Sequence, residues 1–314
     1  MPSKKAPRKG SLQFWPRKRA QKALPRTNWD VIDTTKILKG FIGYKAGMLS
    51  AAVKDNTEHS MTQGKNIAMP VTILECPKMK IFAVRFYKNK VAAKDVIVSV
   101  EKELKRKVKL PKKAGNLDSI KLEDFDDIKI IAYSLVKAAK IKTTPDVVEI
   151  GLTGSLEDKM NYVKENLDKE LSVVDIFAAG DLIDVRGLTK GKGLSGPVKR
   201  FGITLKSHKS EKGVRRPGNI GPWHPARVTF RIPMAGQLGM FTRAVYNNNI
   251  VGIGKADEPN QKLKAMAHYG DVTSDYVIVR GSLMGSQKRQ LLLTAPLRPS
   301  KKQIKKSYEL IELR

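Results

Sequence analysis

Short apolar runs of strand length recur along the chain, each bounded by Gly, Asn or Pro. Gly40-Phe41-Ile42-Gly43-Tyr44, Ile67 to Leu74 and Ile81 to Tyr87 lie in the first third; Ile250 to Ile253, Tyr276 to Arg280 and Leu291 to Leu293 lie in the last. β-Branched and aromatic residues in runs of this length predict strands of a small barrel or sheet. Between the two sets the period changes. Ser155-Leu156-Glu157-Asp158 has the capping-box form, and Leu156, Met160, Val163 and Leu167 then recur at spacings of four, three and four, which predicts a helix from about 156 to 168. Ser172-Val173-Val174-Asp175 offers a second helix start, while Ile128 to Ala132 and Val147 to Ile150 read as strands. The pattern predicts a mainly β protein with an α+β insertion. Its parts are an extended N-terminal arm over 1–30, a β domain over 31–90 and 171–297, an insertion over 91–170, a long loop over 186–243 within the β domain, and a tail over 298–314 that carries an edge strand near Tyr308 to Ile311.

Charge sharpens this division. The chain has 60 Lys and Arg against 30 Asp and Glu in 314 residues, a net charge of +30. Such a surplus repels itself in a compact monomer and implies a polyanionic partner, with nucleic acid the leading class. No apolar run of about 18 residues and no signal-peptide core occurs, so no membrane partner is expected and the chain reads as cytosolic. Residues 1–26 hold nine Lys and Arg and no acid, interrupted by Pro2, Pro7, Pro16 and Pro25. This segment cannot bury itself, and it predicts an extended arm that orders on nucleic acid, with Phe14 and Trp15 suited to stacking on bases. Residues 116–184 hold fifteen acids against eight Lys, so this block is expected to face solvent or protein. Residues 186–243 hold thirteen Lys and Arg, ten Gly and the single acid Glu211, the composition of a basic excursion whose backbone approaches something closely.

Candidate chemistry is sparse. Cys76 is the only cysteine, and after Val71-Thr72-Ile73-Leu74 it reads as a small buried hydrophobe. The four histidines show no metal-ligand spacing, so neither a metal nor a cofactor is expected. Gly191-Lys192-Gly193-Leu194-Ser195-Gly196 fits the GxGxxG form after an apolar run. A dinucleotide fold would need a helix opening at the last glycine, and Pro197 to Gly202 shows no helical periodicity; Glu211, near the distance of a ribose-binding acid, has no strand to hold it. Glycines that let the backbone press against sugar-phosphate, with Lys190, Lys192, Lys199 and Arg200 neutralising phosphates, account better for the string. Gly221-Pro222-Trp223-His224-Pro225-Ala226-Arg227 presents an indole between prolines, as an RNA-facing ring or as a packing anchor. In Met234-Ala235-Gly236-Gln237-Leu238-Gly239, the amide of Gln237 either reads base edges or holds its own turn.

The arm from Lys4 to Arg19, the string Thr189 to Gly202, the Trp223 turn and Met234 to Gly239 together resemble large-subunit ribosomal protein L three, in its archaeal and eukaryotic form. The resemblance spans nearly the whole chain. It implies a translation-protein-type β-barrel with an α+β insertion, and a non-enzymatic constituent of the cytoplasmic large subunit that binds its rRNA, touches neighbouring large-subunit proteins and takes part in early assembly. No homo-oligomer is expected. The loop is implied to reach toward the peptidyl transferase centre, with Trp223 near the tRNA accommodation corridor and in indirect contact with aminoacyl-tRNA and elongation factors. The RNA-binding residues so implied are Lys4, Lys5, Arg8, Lys9, Phe14, Trp15, Arg17, Lys18 and Arg19 in the arm. In the loop they are Lys190, Lys192, Lys199, Arg200, Lys206, His208, Lys209, Arg215, Arg216, Trp223, His224, Arg227, Arg231, Gln237 and Arg243. Gln237 matches a glutamine methylated in bacterial members, and His208 is the counterpart, at a different spacing from the tryptophan, of a histidine methylated in eukaryotic ones.

Overall fold

A computed structural model describes residues 10–118, 120–255 and 261–314. Lys4, Lys5, Arg8 and Lys9 lie outside the described residues. The chain forms two compact units, one from the arm up to Ala23 with Leu188–Arg243, the other from Leu24–Gly187 with Ala244–Arg314.

The larger unit is mainly β. Its first strands are β1 (Gly40–Asp55), β2 (Asn66–Glu75), β3 (Met79–Lys88) and β4 (Val91–Ile97). Then come β5 (Asp127–Ser134), β6 (Val147–Gly151), the helix α1 (Leu156–Glu165) and β7 (Leu182–Leu188). The smaller unit supplies β8 (Leu194–Ser195), the short helix α2 (Pro197–Phe201) and β9 (Gly236–Gln237). The chain closes with β10 (Thr242–Gly254), β11 (Tyr276–Arg280), β12 (Gln290–Thr294), α3 (Lys301–Ile304) and β13 (Tyr308–Leu313).

Seven strands hydrogen-bond in the order β12-β7-β10-β11-β2-β1-β13. β1 is long enough to pair along its length with β2, through Gly40–Tyr44 with β12, and through Ala51–Asp55 with β13. The edge strand expected near Tyr308 is thus present. A second sheet has the order β4-β3-β5-β6, so the apolar run Ile81 to Tyr87 joins the strands of the acidic segment. α1 packs on β5, and its capping box forms as the sequence predicts, Ser155 and Asp158 exchanging bonds. The helix ends at Glu165, short of the expected 168, because Asn166 turns out of helical geometry. The Ser172 start yields a single turn: Asp175 accepts from Ser172 N at 3.3 Å, but apolar Val173, Ile176 and Phe177 go straight into the core and no helix follows.

One core cluster joins both sheets, with Phe41, Ile73, Leu74, Ile81, Ile130, Val277 and Leu292 at 0–1% exposure. Each such side chain contributes about 1.5–3 kcal/mol by leaving water. Cys76 is buried here as expected, with burial pushing its thiol up from the ordinary range.

Two buried polar knots fix the relation of strands to loops. Tyr44 on β1 donates to Asp146 Oδ2 at 2.6 Å and meets Ser134 Oγ of β5 at 2.7 Å, while Lys142 pairs with the same carboxylate. Burial first, then Asp146, holds the Tyr44 phenol well above its ordinary range, so it stays a donor. Glu75, with no exposed surface, accepts from Thr273 N at 2.8 Å, Ser274 N at 2.9 Å, Ser274 Oγ at 2.8 Å and the Tyr269 hydroxyl.

Glu75→Ala strands four donors in the interior, and urea unfolding of the purified protein is expected to show a loss of about 3 kcal/mol or more; Glu75→Gln, which keeps an acceptor oxygen, loses less. At the end of β1, hydrogen bonds from Thr57 first and then Thr62 hold the Asp55 carboxyl well below the usual carboxylate range. A folded-state pKa below the unfolded one adds stability above about pH 4 that is lost as pH falls toward the folded value. Asp55→Asn is therefore expected to flatten the acid limb of a stability-versus-pH curve below about pH 4, while an unchanged limb would show that the knot is not felt.

Candidate nucleic-acid interface

The smaller unit begins with a tie between the ends of its loop. Thr189 N donates to Phe241 O at 3.0 Å, and Phe241 N returns a bond to Thr189 Oγ1 at 3.2 Å. Next, Lys192 N donates to Leu238 O and Leu238 N to Gly193 O, each at 2.9 Å, and β8 pairs with β9. The GKGLSG string is therefore one half of a two-stranded ribbon, in which Lys192 N is already given to Leu238 O and Leu194 and Ser195 pair with β9. Contrary to the sequence expectation, a helix does follow it: Pro197 at the first position starts α2, which stops at Gly202 in the left-handed region after five residues. One turn and a half, beside antiparallel pairing, does not make a dinucleotide site. Gly239 has a specific reason: its φ is +79°, and a Cβ there would lie 2.0 Å from Lys190 O.

Arg200 and Gln237 serve this ribbon. Arg200 donates from Nε to Gln237 O at 3.1 Å and from a terminal nitrogen to Met234 O at 3.0 Å, and burial lowers its pKa from the ordinary arginine value. Gln237 Nε2 donates to Leu238 O and Gly239 O, both at 3.1 Å, so of its two uses the turn-holding one is realised.

The arm is pinned to the loop by rings and guanidinium groups. Trp15 stacks on Phe201 at 6.2 Å between centroids and meets Phe230 edge-on at 5.5 Å. Arg17 lies over Phe201 at 4.3 Å and over Trp15 at 5.5 Å, and donates to Arg200 O at 3.1 Å. Ala20 N donates to Met240 O at 2.9 Å, and Arg243 covers Phe14 at 4.9 Å and Phe241 at 5.3 Å. Cation–π and ring pairs of this kind are worth about 0.5–1.5 kcal/mol each, so a segment dominated by cations and glycine still gains a small core. Trp15, expected to stack on bases, is half-buried here and packs on Phe201 and Phe230, two partners that the sequence alone does not reveal.

Over 203–231 the loop is almost wholly exposed. Trp223 is 87% and Phe230 65% exposed. Lys206, His208, Lys209, Arg215, Arg216, His224, Arg227 and Arg231 are exposed around them, as are Lys190, Lys192 and Lys199 nearer the ribbon and Lys18 and Arg19 in the arm. Gly221, at φ +127°, gives its N–H to Asn219 Oδ1 at 2.8 Å, and Arg227 N donates to Pro225 O at 2.6 Å, so tight turns on both sides present the indole outward. Among the described residues no group of three His, Cys, Asp or Glu side chains could hold a metal ion, and no helix is long and apolar enough to cross a membrane.

A mainly β body joined to an arm and loop whose surface is cationic, with exposed rings between the charges, is the build of a ribosomal protein. The sequence profile described as Ribosomal protein L3 matches residues 1–314, and the chain belongs to that family, one of ribosomal proteins and not of enzymes. It is 38% identical over 95% of its length to the large ribosomal subunit protein uL3 of Methanocaldococcus jannaschii, of which the match covers 93%. It is likewise 38% identical over 94% of its length to the uL3 of Archaeoglobus fulgidus, and 39% over 94% to that of Methanobrevibacter smithii, covering 93% of each.

The clamp makes a direct prediction. Trp15→Ala and Arg17→Ala are each expected to speed limited tryptic cleavage at Lys18 and Arg19 by about tenfold, the size expected when about 1.4 kcal/mol of local order is removed. Equal cleavage rates in variant and parent would show that the arm is not held by these rings.

Proposed function

We infer that this chain is a structural constituent of the cytoplasmic large ribosomal subunit, binding its rRNA through the arm and the loop and contributing to subunit assembly and translation. The observation that carries the reading is the loop over 203–231, where cations and an 87% exposed Trp223 stand with a single acid, Glu211. Lysines and arginines there neutralise phosphates and release counterions, which supplies affinity without base code. Exposed rings stack on unpaired bases, the usual means by which proteins read single-stranded RNA. Arg200, Gln237, Trp15 and Arg17 act mainly by holding the scaffold on which Lys190, Lys192, Lys199 and the exposed cations are displayed; Arg243 does so at the arm.

The family reading extends to the path of the loop, which would run through rRNA toward the peptidyl transferase centre and bring Trp223 near the incoming aminoacyl-tRNA. It extends also to a closed six-stranded barrel of the translation-protein type. Support for closure is that β12 pairs with β7 on one side and with β1 on the other, while β7, β10, β11, β2 and β1 are successive neighbours.

Sedimentation of a lysate through sucrose at high salt tests residence: the protein is expected to stay with the large subunit, whereas release into the soluble fraction overturns the reading. Alanine at Lys206, Lys209, Arg215 and Arg216 together is expected to lower the slope of log K against log salt for rRNA binding by roughly three, while Trp223→Ala leaves that slope unchanged and slows tRNA accommodation. An unaltered slope in the fourfold variant would show that these cations do not meet phosphate.

A further inference from the structure

The acidic segment contains a groove that the RNA-binding reading leaves unused. α1 buries Met160 and Val163 and sets a different stripe along the groove, Asp158, Asn161 and Glu165 exposed and Tyr162 half-buried, spaced three, seven and four residues from the first. This stripe is one wall of a groove of about 380 Å³ whose other wall is Thr35, Ile37, Thr153 and Gly154, held in place by the Thr153 N bond to Ile37 O at 2.8 Å. Ile37 is 39% exposed, and the buried Thr153 Oγ1 has no hydrogen-bond partner.

No cation lines the groove. The two lysines of α1 are directed elsewhere, Lys159 to Asp127 at 2.5 Å and Lys164 to Asp118 at 3.3 Å. Asp158 is tied to Ser155 by the capping box, and Glu165 makes no ion pair among the described residues. An apolar floor beside two unneutralised carboxylates repels RNA phosphates and suits the opposite occupant: a long cationic side chain lays its methylenes on Ile37 and Tyr162 while its head meets Glu165.

We propose that this groove docks an extended Lys- and Arg-rich segment of a neighbouring ribosomal protein. The proposal rests on the reading that the chain works inside the large subunit. The arm of this chain shows the chemistry in question, since in Gly10 to Ala23 the apolar Leu12, Phe14 and Trp15 are followed by Arg17, Lys18, Arg19 and Lys22. In a particle built of RNA, an acid-lined apolar groove on a chain of net charge +30 discriminates against nucleic acid and for such a segment.

The test places p-benzoylphenylalanine at Asn161 in chains carried by intact large subunits, with Met61, 96% exposed and away from the groove lining, as the control position. Irradiation and mass spectrometry are expected to give an adduct from position 161 to a basic segment of one ribosomal protein. Glu165→Lys is expected to reduce its yield by about tenfold or more, because like charges at an interface are strongly unfavourable. That variant places a cation in the last turn of α1, which the helix dipole favours, so loss of fold does not explain loss of adduct. An adduct to rRNA, to a second copy of this chain or to an acidic segment overturns the proposal, as does no protein adduct in subunits that contain the labelled chain. Absence of the chain from large subunits would instead count against the ribosomal reading itself.

Discussion

Mutual repulsion among its cations is the constraint to which the rest of this structure answers. The arm to Ala23 and Leu188–Arg243 together hold twenty Lys and Arg and one acid. No ordinary core can form there, because long charged side chains are costly to bury and the glycines bring no area. Order comes from two sources that tolerate positive charge. Backbone bonds close the ribbon of β8 and β9, and guanidinium groups lie on aromatic faces, where the ring quadrupole attracts them instead of excluding them. Arg17, Arg200 and Arg243 are thus spent on the protein, and among the described residues of this unit the lysines and the remaining arginines face outward.

The larger unit solves the same problem with acids. Arg85 is held by Asp95 at 2.7 Å and Glu149 at 2.8 Å, and Lys129 by Asp30 at 2.9 Å while it lies over Tyr87 at 4.5 Å. Where the acid is exposed, as at Asp95 and Asp30, a pair adds about 1 kcal/mol or less, so the main effect is to cancel repulsion while the apolar cluster provides stability. At the fully buried Glu75, hydrogen-bond donors replace the cation. Those donors come from residues 269–274, and this is how a loop of little hydrophobicity is fixed against β2. Pairing and burial thus divide the work, one balancing charge and the other holding the fold.

The strands were legible because β-branched runs bounded by Gly, Asn and Pro carry their own signal, and α1 because its capping box and its four-three-four spacing agree. The dense cations of the arm and loop were equally plain. The partners of Trp15 were not. Phe201 stands 186 positions along the chain and Phe230 further still, and a ring among cations reads the same whether its partner is a base or a distant phenylalanine. Tyr44 with Asp146, and Glu75 with Thr273 and Ser274, escaped for the same reason, since buried polar pairs leave no periodic trace. The Ser172 signal misled because local capping chemistry is shared by helices and by isolated turns, and burial of Val173 and Phe177 decided for the turn.

What the clamp does for binding follows from entropy. Ordering a free residue costs about 1–2 kcal/mol, so an arm over 1–30 and a loop over 186–243 that met RNA as separate coils would consume much of the electrostatic gain. Tying Ala20 to Met240, Trp15 to Phe201 and Thr189 to Phe241 removes part of that cost before RNA is met. The segment from 203 to 231 has few such ties, and its turns fix Trp223 locally while leaving the cations around it exposed. A tied base with an exposed, cation-rich end suits the RNA-binding function proposed above. The tied part sets where its charges stand, and on that reading the exposed part, with few internal ties, is where contacts to phosphate would decide the path.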